Sequence, residues 1–349
     1  MPDYRNVKDD NRRTPEQLIR EATSERDTDN NVEMLSMLLH LKDGAAIGID
    51  VGLTHCCAAI VQQNKPMVII NEHGHHTTPH WVAFDDNDTH IGEAAKAHAT
   101  KDVKNSIYDL NRIAGRKYED EAVQEILKDP YKVPYAIVNR EGGRPQIQVA
   151  TRDGIKYRSP EQLTAMVLQR IKENAKVFLG TDATHCVLTV PAVYTEEQRR
   201  ATEKAAKLCG LSVLRIINEP TAAALAYGLE KVGRCNILVY DLGGGSFNVT
   251  LLSVEDGLFN IKKNCTAGDS RLGGDAFDRK LAEYVVEEIM RKHKQDLRKK
   301  PEAMRRILNK CEHAKKHLSK ELQVCILESQ LLVQAKHVTS VLTASAPYL

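Results

Sequence analysis

The sequence predicts an α/β protein made of two similar lobes. Apolar segments of strand type alternate with amphipathic segments of helix type, most clearly over residues 159–229, and such alternation is typical of α/β architecture. Two of the strand segments also end in the same pattern. Each is followed by an aspartate, a turn that contains glycine, and a second strand. The aspartates are Asp50 and Asp241, one in each part of the chain. The repeat indicates a duplicated unit that closes on a ligand from both sides.

The two hairpins have the composition of a phosphate-binding site. The first reads IDVGLT over residues 49–54, and the second reads DLGGGSFNV over residues 241–249. Glycine adopts positive φ without strain and lets a ligand approach the backbone, whose N–H groups can then form an anion-binding nest. An aspartate beside such a turn can hold a hydrated Mg²⁺ ion. One Asp-x-Gly turn alone is usually structural, and it is the pair that favours a nucleotide site.

Composition narrows the class of protein. The 349 residues are enough for two or three domains, and 42% hydrophobic and 28% charged content is typical of soluble globular chains. A net charge of +2 is too small to create a broad positive electrostatic field that would attract nucleic acid or anionic lipid. No apolar run reaches the length of about 18 residues that a membrane span needs. The eight cysteines form no C-x-x-C motif and no export signal precedes them. We therefore expect reduced thiols, no nucleic-acid or membrane partner, and a cytoplasmic location that extends to the nucleus.

Residues 1–44 are polar and are expected to form a disordered extension. A capping-box pattern over residues 14–17 and an apolar helix face over residues 32–41 leave a partner-binding or regulatory arm as the alternative.

Four histidines follow the first hairpin and its return strand, namely His73, His75, His76 and His80. Clustered histidines can hold a metal ion, but their irregular spacing favours an ordinary loop. The mixed and richly charged segment that follows, taken as residues 80–158, is interpreted as an inserted subdomain.

Helices are predicted where capping signals precede apolar periodicity. A capping box over residues 159–162 opens a helix that ends near Gly180, and the helix after the strand at residues 185–194 ends at Gly210. The next strand, VLRIIN, delivers Glu219 to a loop before another helix. A carboxylate at the end of a strand is where α/β proteins place chemistry, although a capping role alone is the alternative.

After the second hairpin, two more strands lead to a glycine pair, Gly273 and Gly274. Residues 276–326 are mostly helical by their periodicity and strongly basic. A basic run of this kind is usually a solvated helix face rather than a nucleic-acid patch. The final segment, residues 331–349, has the pattern of a strand.

Three further motifs resemble those of the heat shock protein 70 chaperone family. They are TTPHWVAF at residues 77–84, IINEPTAAALAYGL at residues 216–229 and TAGDSRLGGDAFD at residues 266–278, and the resemblance runs from residue 45 to about residue 345. It implies an actin-like (ribonuclease H-like) two-lobed ATPase fold that encloses Mg-ATP. In the family, hydrolysis there drives a separate peptide-binding domain, so the resemblance also implies a role in protein folding and the stress response.

The resemblance assigns the site residue by residue. Asp50 and Asp241 would hold hydrated Mg²⁺ with neighbouring K⁺ ions, and Glu219 would position the attacking water, which makes these three the catalytic candidates. The candidates for nucleotide binding are Gly52, Thr54, Gly243, Gly244, Gly245 and Ser246 at the phosphates, Gly273 and Gly274 at the ribose, and Glu312, Lys315, Lys316 and Ser319 at the adenosine. J-domain co-chaperones and nucleotide exchange factors are the implied partners. Positions that the family uses for signalling between the lobes and for co-chaperone docking are matched by Pro191, Arg199 and Arg215.

The chain departs from the family pattern beside the phosphates. Asn111 stands where the family has the lysine that contacts the γ-phosphate, and Leu53 replaces one of two phosphate-facing threonines. His55 replaces a tyrosine, Asn248 an aspartate, and Lys316 an adenine-stacking arginine. Loss of a fixed cation beside developing charge costs about 2.7–4 kcal/mol, so we expect weakened ATP hydrolysis. The alternatives are a degenerate, non-catalytic regulatory or co-chaperone-binding pseudo-chaperone, and a truncated product without independent function.

The resemblance also divides the chain into an extension and two lobes. Residues 45–232 form lobe I with its insertion, and residues 233–349 form lobe II, with a hairpin and sheet over residues 233–272 and a helical subdomain over residues 273–349. The family's GGSTR-type turn, further strands and peptide-binding domain have no counterpart in the sequence. We therefore expect an incomplete second lobe with exposed sheet edges and uncovered apolar faces.

Overall fold

The structure, a computed structural model, describes residues 45–62, 65–128, 133–229, 233–255, 257–327 and 341–345. The features predicted within residues 1–44, and most of the final segment, lie outside these described residues. Within the described ranges, every helix is too short or too polar to span a bilayer. The cytoplasmic location stays a prediction.

The elements are numbered here in chain order. The strands are β1 (Ala45–Val51), β2 (His55–Gln62), β3 (Lys65–Val68), β4 (Thr78–Pro79), β5 (Val82–Phe84), β6 (Thr89–Ile91), β7 (Ser106–Ile107), β8 (Ala136–Arg140), β9 (Arg144–Thr151), β10 (Gly154–Arg158), β11 (Ala183–Val190), β12 (Ser212–Asn218), β13 (Cys235–Leu242), β14 (Phe247–Glu255), β15 (Leu258–Asp269), β16 (Gln323–Leu327) and β17 (Val341–Ser345). The helices are α1 (Glu93–His98), α2 (Glu121–Lys128), α3 (Pro160–Leu179), α4 (Glu196–Leu208), α5 (Glu219–Ala226), α6 (Gly274–His293) and α7 (Pro301–Leu318). Short 3₁₀ turns lie at Leu110–Arg112, Glu141–Gly143 and Leu297–Lys299.

A six-stranded sheet in lobe I carries the first hairpin. Its order is β12-β11-β1-β2-β3, with β4 paired to β2. Strands β1, β11 and β12 run parallel, while β1 and β2 form the predicted antiparallel hairpin, in which Asp50 pairs with Cys57. The register places Asp50 beside Thr189, and Val190 beside Asn218. The carboxyl ends of the three parallel strands therefore meet at one edge, which is where α/β sheets bind ligands.

Capping signals set the ends of the helices that pack against this sheet. Ser159 and Gln162 form the predicted capping box at the start of α3, and Thr195 and Gln198 form a second one at the start of α4. Gly180, with a φ of 70°, follows the last residue of α3. A left-handed residue at this position ends a helix and is usually glycine, so the predicted end is confirmed.

Helix α5 differs in one detail from the prediction. The sequence predicts Glu219 in a loop, but the helix begins at Glu219 and has Pro220 in its first turn. Proline is tolerated there because the first turn of a helix needs no backbone N–H donor. The backbone therefore holds Glu219 directly after β12, at the ligand-binding edge of the sheet.

The insertion forms two small antiparallel sheets. One has the order β6-β5-β7 and the other the order β10-β9-β8. Val82 and Ile107 from the first sheet, and Ile147 and Val149 from the second, are fully buried and belong to the same apolar core as Ile47. The insertion is thus packed onto lobe I as part of one core.

Lobe II contains an antiparallel meander and a helical pair. Strands β13, β14 and β15 pair in sequence order, and Asp241 lies opposite Asn248 in the second hairpin. Helices α6 and α7 enclose a separate core that includes Ile289 and Ile307. Residues 323–326, the end of the segment predicted to be mostly helical, instead belong to β16. The prediction is wrong there because the pairing partner, β17, comes from a later part of the chain that local periodicity does not sense.

One face of the meander carries apolar side chains that no described residue covers. Leu238 and Tyr240 on β13 are each 66% exposed. Among the strands that the structure describes, β13 pairs only with β14 and is therefore an edge. Alternate residues of β13 are half-buried, so its exposed apolar side chains lie on one face.

Candidate functional site

The turns of the two predicted hairpins touch where the lobes meet. A Cβ atom built on Gly244 would overlap the side chain of Thr54, and one built on Gly245 would overlap the side chain of Leu53. Only glycine permits so close an approach. The structure therefore brings together the two hairpins that the sequence singles out.

The predicted ribose pair, Gly273 and Gly274, lies directly against the second turn. The backbone N–H of Gly274 donates a 3.0 Å hydrogen bond to the carbonyl of Gly243, and that of Asp275 donates a 2.7 Å bond to Gly244. A Cβ atom built on Gly273 would lie 2.7–2.8 Å from backbone atoms of the turn. The start of α6 is thus fixed on the second hairpin by backbone contact.

Three carboxylates lie near one another beside the turns. Asp50 and Glu219 come from the sheet edge of lobe I, and Asp241 comes from β13 in lobe II. The hydroxyl of Thr189 donates a 2.5 Å hydrogen bond to Asp50. Burial is the largest influence on all three and raises each pKa. The charges of Asp50 and Asp241 raise the pKa of Glu219 further, to about 8.

This carboxylate cluster fits a divalent cation. Carboxylates whose pKa values rise through burial and mutual repulsion carry negative charge that the surrounding protein does not balance. Oxygen ligands are the ones that Mg²⁺ prefers, and an ion held through water needs only one or two carboxylates. Asp50 and Asp241 can therefore hold hydrated Mg²⁺, with Glu219 beside them.

Asn111 lies next to the strand that carries Asp50. It belongs to the turn Leu110–Arg112 and is 9% exposed. Its side-chain nitrogen donates a 2.8 Å hydrogen bond to the carbonyl oxygen of Val51. The position at which the resemblance implies a phosphate-contacting lysine thus holds a neutral amide that bonds to the backbone.

Arg112, which was not among the site residues predicted from the sequence, connects the lobes. Its Nη2 donates a 3.0 Å hydrogen bond to the carbonyl of Gly245, and its Nη1 donates to the carbonyl of Ser270. Its Nε lies 3.4 Å from a carboxylate oxygen of Asp109. The signal that could have identified it is its place next to Asn111.

Two cavities lie beside the contact between the turns. The first cavity has a volume of about 280 Å³, and its lining includes Leu53, Thr54, His55, Gly244, Gly274, Glu312, Lys315 and Lys316. The second has a volume of about 330 Å³, and its lining includes Leu53, Asn111, Pro191, Glu219, Ser246 and Asn248. Leu53 lines both cavities. The predicted adenosine residues thus share the first cavity, whereas Glu219 and Ser246 face the second.

Ion pairs fix the predicted adenosine residues. Glu312 accepts hydrogen bonds from Lys96 of lobe I at 2.5 Å and from Lys316 at 2.7 Å. Burial opposes ionisation of Glu312, but the two lysines outweigh it and lower its pKa to about 2. Lys315 donates to a carboxylate and a carbonyl oxygen of α6, at 2.7 and 2.9 Å. Ser319, predicted for the same end, follows α7 and lies outside the lining of the first cavity.

His80 has a structural role next to the first turn. Its Nδ1 donates a 2.9 Å hydrogen bond to the carbonyl of Gly52, and its Nε2 accepts a 3.2 Å bond from the hydroxyl of Thr164. Burial lowers its pKa, which keeps the ring neutral. The other three histidines of the group are exposed in a loop, where the Asn71 side chain accepts two backbone N–H bonds. The loop interpretation is confirmed.

The fold and the site together define a class of protein. Two lobes each present an Asp-Gly hairpin to a shared cleft, and a third carboxylate stands at the end of a neighbouring strand. This is the arrangement of the actin-like ATPase fold.

Comparison with known proteins gives the family. Residues 46–345 match the family model described as Hsp70 protein, and the chain belongs to this family, whose nucleotide-binding domain it represents. It is 43% identical over 301 residues to the heat shock 70 kDa protein of Neurospora crassa. The matched residues cover 86% of this chain and 46% of that relative. It is 42% identical over 283 residues to the human putative heat shock 70 kDa protein 7, and this match covers 80% of this chain and 76% of the human protein. The heat shock cognate 70 kDa protein 3 of Dictyostelium discoideum is 42% identical over 286 residues, with 80% and 45% covered.

The chain spans about half the length of the Neurospora and Dictyostelium relatives. Proteins of this family bind ATP or ADP with Mg²⁺.

Proposed function

We propose that this chain binds ATP or ADP with Mg²⁺ between its lobes and hydrolyses ATP slowly, as a chaperone-related ATPase. The observation that carries the proposal is the carboxylate cluster of Asp50, Glu219 and Asp241 next to a buried Asn111. The cluster supports cation and nucleotide binding, and the neutral Asn111 supports slow turnover.

The three carboxylates have different roles in this proposal. Asp50 and Asp241 hold the hydrated Mg²⁺, with K⁺ ions beside them, and the hydroxyl of Thr189 keeps the Asp50 carboxylate in place. When bound, the Mg²⁺ supplies the charge neutralisation at the phosphates that phosphoryl transfer chiefly requires. Glu219 orients the attacking water, for which its ionised form is the stronger hydrogen-bond acceptor. A nearby cation favours that ionised form and opposes the burial that raises its pKa.

The two turns and the first cavity would receive the nucleotide. The phosphates would follow the glycines of the second hairpin, where the absence of Cβ atoms leaves the backbone accessible. The adenosine would occupy the first cavity beside Glu312, Lys315 and Lys316. Because Leu53 lines both cavities and contacts Gly245, a triphosphate that reaches from one cavity to the other has to displace this side chain.

Slow hydrolysis follows from the chemistry of Asn111. A lysine there would place a fixed positive charge beside the γ-phosphate, whereas the asparagine is neutral and its donor is bonded to Val51. Removing one donor from a site that stabilises developing charge costs about 2.7–4 kcal/mol, which is roughly a hundred- to thousand-fold in rate.

Single-turnover hydrolysis tests this proposal, with the purified chain in excess over radiolabelled ATP and Mg²⁺. We expect slow turnover in the wild type and a rate roughly a hundred- to thousand-fold higher in Asn111→Lys. Asn236→Lys makes the same change at an exposed position of β13 and should leave the rate unchanged. Equal rates for the wild type and Asn111→Lys, with both as fast as a lysine-bearing family member, would overturn the proposed role of Asn111.

A regulatory protein that binds nucleotide and co-chaperones without hydrolysis is the second candidate. The contact of Leu53 and Thr54 with the second turn favours it, because this contact separates the two cavities. J-domain proteins and exchange factors are the proposed partners. Arg199, a proposed docking residue, donates a 2.7 Å hydrogen bond to Asn218, which directly precedes Glu219. A partner that displaces Arg199 would therefore disturb the catalytic edge.

The two candidates differ in two measurements. Binding of Mg-ADP to the folded state raises its melting temperature in either case. A melting temperature that rises with Mg-ADP, together with no hydrolysis in the wild type or in Asn111→Lys, would favour the regulatory candidate. No rise with Mg-ADP or Mg-ATP would contradict both.

A further inference from the structure

A cluster of two histidines and one aspartate lies in the insertion of lobe I, away from the nucleotide cleft. Asp85 directly follows β5, His90 is the middle residue of β6, and His98 is the last residue of α1. The three side chains converge from three separate elements. Their ligand-type atoms all lie within 4.8 Å of one another.

The distances within the cluster suit a shared ion. Nε2 of His90 lies 2.7 Å from Oδ2 of Asp85, and Nε2 of His98 lies 3.8 Å from the same oxygen. The two imidazole rings are stacked, with centroids 5.0 Å apart and planes at 21°. Tetrahedral zinc with bonds of about 2.0–2.2 Å needs ligand atoms roughly 3.4 Å apart, so the observed spacings require only small side-chain movements.

We propose that Asp85, His90 and His98 form a binding site for a divalent transition-metal ion, with Zn²⁺ as the best match. The two imidazoles are borderline ligands that favour Zn²⁺ and its neighbours over Mg²⁺ or Ca²⁺, which prefer oxygen alone, and zinc accepts the carboxylate as well. Three protein ligands leave a fourth position of the tetrahedron for water. This site is independent of the proposed nucleotide function.

The backbone holds the carboxylate ready for such an ion. Oδ1 of Asp85 accepts hydrogen bonds from the backbone N–H groups of Asn87 and Asp88, at 2.8 and 2.7 Å. These bonds turn the other oxygen, Oδ2, toward both imidazoles. Bonds of this kind orient metal ligands in known sites.

The site is sheltered but accessible. The side chain of His98 is 14% exposed, that of His90 is 27% exposed and that of Asp85 is 35% exposed. An ion can therefore enter from solvent and keep a water ligand. The second ring nitrogen of His98, Nδ1, is buried and has no hydrogen-bond partner among the residues that the structure describes. No bond from the fold thus fixes which nitrogen of His98 carries the proton, and Nε2 can present its lone pair.

An occupied site would connect the β5–β6 hairpin to the end of α1. The same helix carries Lys96, which pairs with Glu312 of lobe II. Metal binding would thus stiffen the part of lobe I that reaches across the cleft.

Isothermal titration of the full chain with ZnCl₂, in excess Mg²⁺ and without nucleotide, tests the proposal. The excess Mg²⁺ occupies oxygen-only sites such as the cleft carboxylates. We expect one Zn²⁺ per chain, and a loss of affinity in His90→Gln and in His98→Gln that exceeds the roughly 10–100-fold effect of removing an outer-shell partner. His73→Gln removes an exposed histidine outside the cluster and is the matched control, which should bind as the wild type does.

Cobalt substitution identifies the ligands when a variant folds poorly. Co²⁺ in the proposed site should give the visible absorption of a tetrahedral ion with nitrogen and oxygen ligands, and this absorption should be absent in His98→Gln. A thiolate-to-cobalt charge-transfer band would assign the ion to cysteines and overturn the proposal. Unchanged zinc affinity in both cluster variants would overturn it as well, and would leave the cluster as a hydrogen-bonded ion pair only.

Discussion

The side-chain nitrogen of Asn111 donates a 2.8 Å hydrogen bond to the carbonyl oxygen of Val51. Val51 ends β1, so this bond ties the turn at Leu110–Arg112 to the strand that carries Asp50. Asparagine keeps a backbone contact here while contributing no charge. Asn111→Lys therefore changes the charge and the bond to Val51 together, so its rate of hydrolysis is compared with its thermal stability.

Leu53→Thr should strengthen the binding of ATP more than that of adenosine. The smaller side chain would widen the passage beside Gly245 and add a hydroxyl next to the phosphates. One added hydrogen bond of about 1.4 kcal/mol corresponds to a roughly tenfold lower Kd for ATP. Calorimetric titration with both ligands measures the difference. Leu238→Thr on the exposed face of β13 is the control, and equal gains for ATP and adenosine in Leu53→Thr would argue against a blocking role.

Glu312→Gln should speed the release of ADP. The change removes the carboxylate that Lys96 of lobe I and Lys316 share, and the side chains of Lys96 and Glu312 are only 24% and 17% exposed. Loss of about 1.4 kcal/mol from the closed state gives roughly tenfold faster dissociation. Stopped-flow displacement of a fluorescent ADP analogue measures the rate. Glu283→Gln breaks an exposed pair with Lys280 on α6 and should change nothing, so equal effects of the two variants would refute the prediction.

Glu219 should make Mg²⁺ binding depend on pH. Its pKa is raised from 4.5 to about 8, first by burial and then by Asp50 and Asp241. Without an ion, the folded state binds this proton more tightly than the unfolded state does. The contribution of Glu219 to the free energy of unfolding therefore falls as the pH rises from about 4.5 to about 8. Because Mg²⁺ favours the ionised form, its affinity should rise with pH toward 8.

Titration of Mg²⁺ at several pH values measures this effect. Glu219→Gln should lose the rise in affinity near pH 8, while Glu255→Gln, at an exposed position outside the cleft, should keep it. A rise that persists unchanged in Glu219→Gln would show that another group is responsible.

Gly273→Ala should destabilise the start of α6. The new Cβ atom would lie 2.7–2.8 Å from backbone atoms of the second turn, which are not free to rotate away. Overpacking of this kind costs about 1–3 kcal/mol in the free energy of unfolding, and it should weaken ADP binding too. Urea denaturation measures the stability. In Gly48→Ala the Cβ atom would meet its nearest neighbour at an ordinary 3.7 Å, so equal stability of the two variants would contradict the prediction.

Local patterns were sufficient to predict much of the fold. The capping box at Ser159 and the glycines at positions 180 and 210 gave helix ends that the structure confirms. Each signal works through neighbouring residues, so no knowledge of distant contacts is needed. The convergence of the two Asp-Gly turns was also predictable, because a repeated motif indicates a repeated unit.

Contacts between distant parts of the chain were not predictable in this way. Lys96 and Glu312 are 216 positions apart, and nothing in either local sequence indicates their pairing. The contact of Leu53 with Gly245 likewise depends on how the lobes meet. The cluster around Asp85 was missed because its three members come from a turn, a strand and a helix with no shared period.

The guanidinium of Arg112 reaches two points of lobe II, the carbonyls of Gly245 and Ser270. Pulling the lobes straight apart would break both bonds at once, whereas twisting one lobe about this side chain can keep at least one of them. Arg112 therefore links one side chain of lobe I to two separate backbone carbonyls of lobe II beside the cleft.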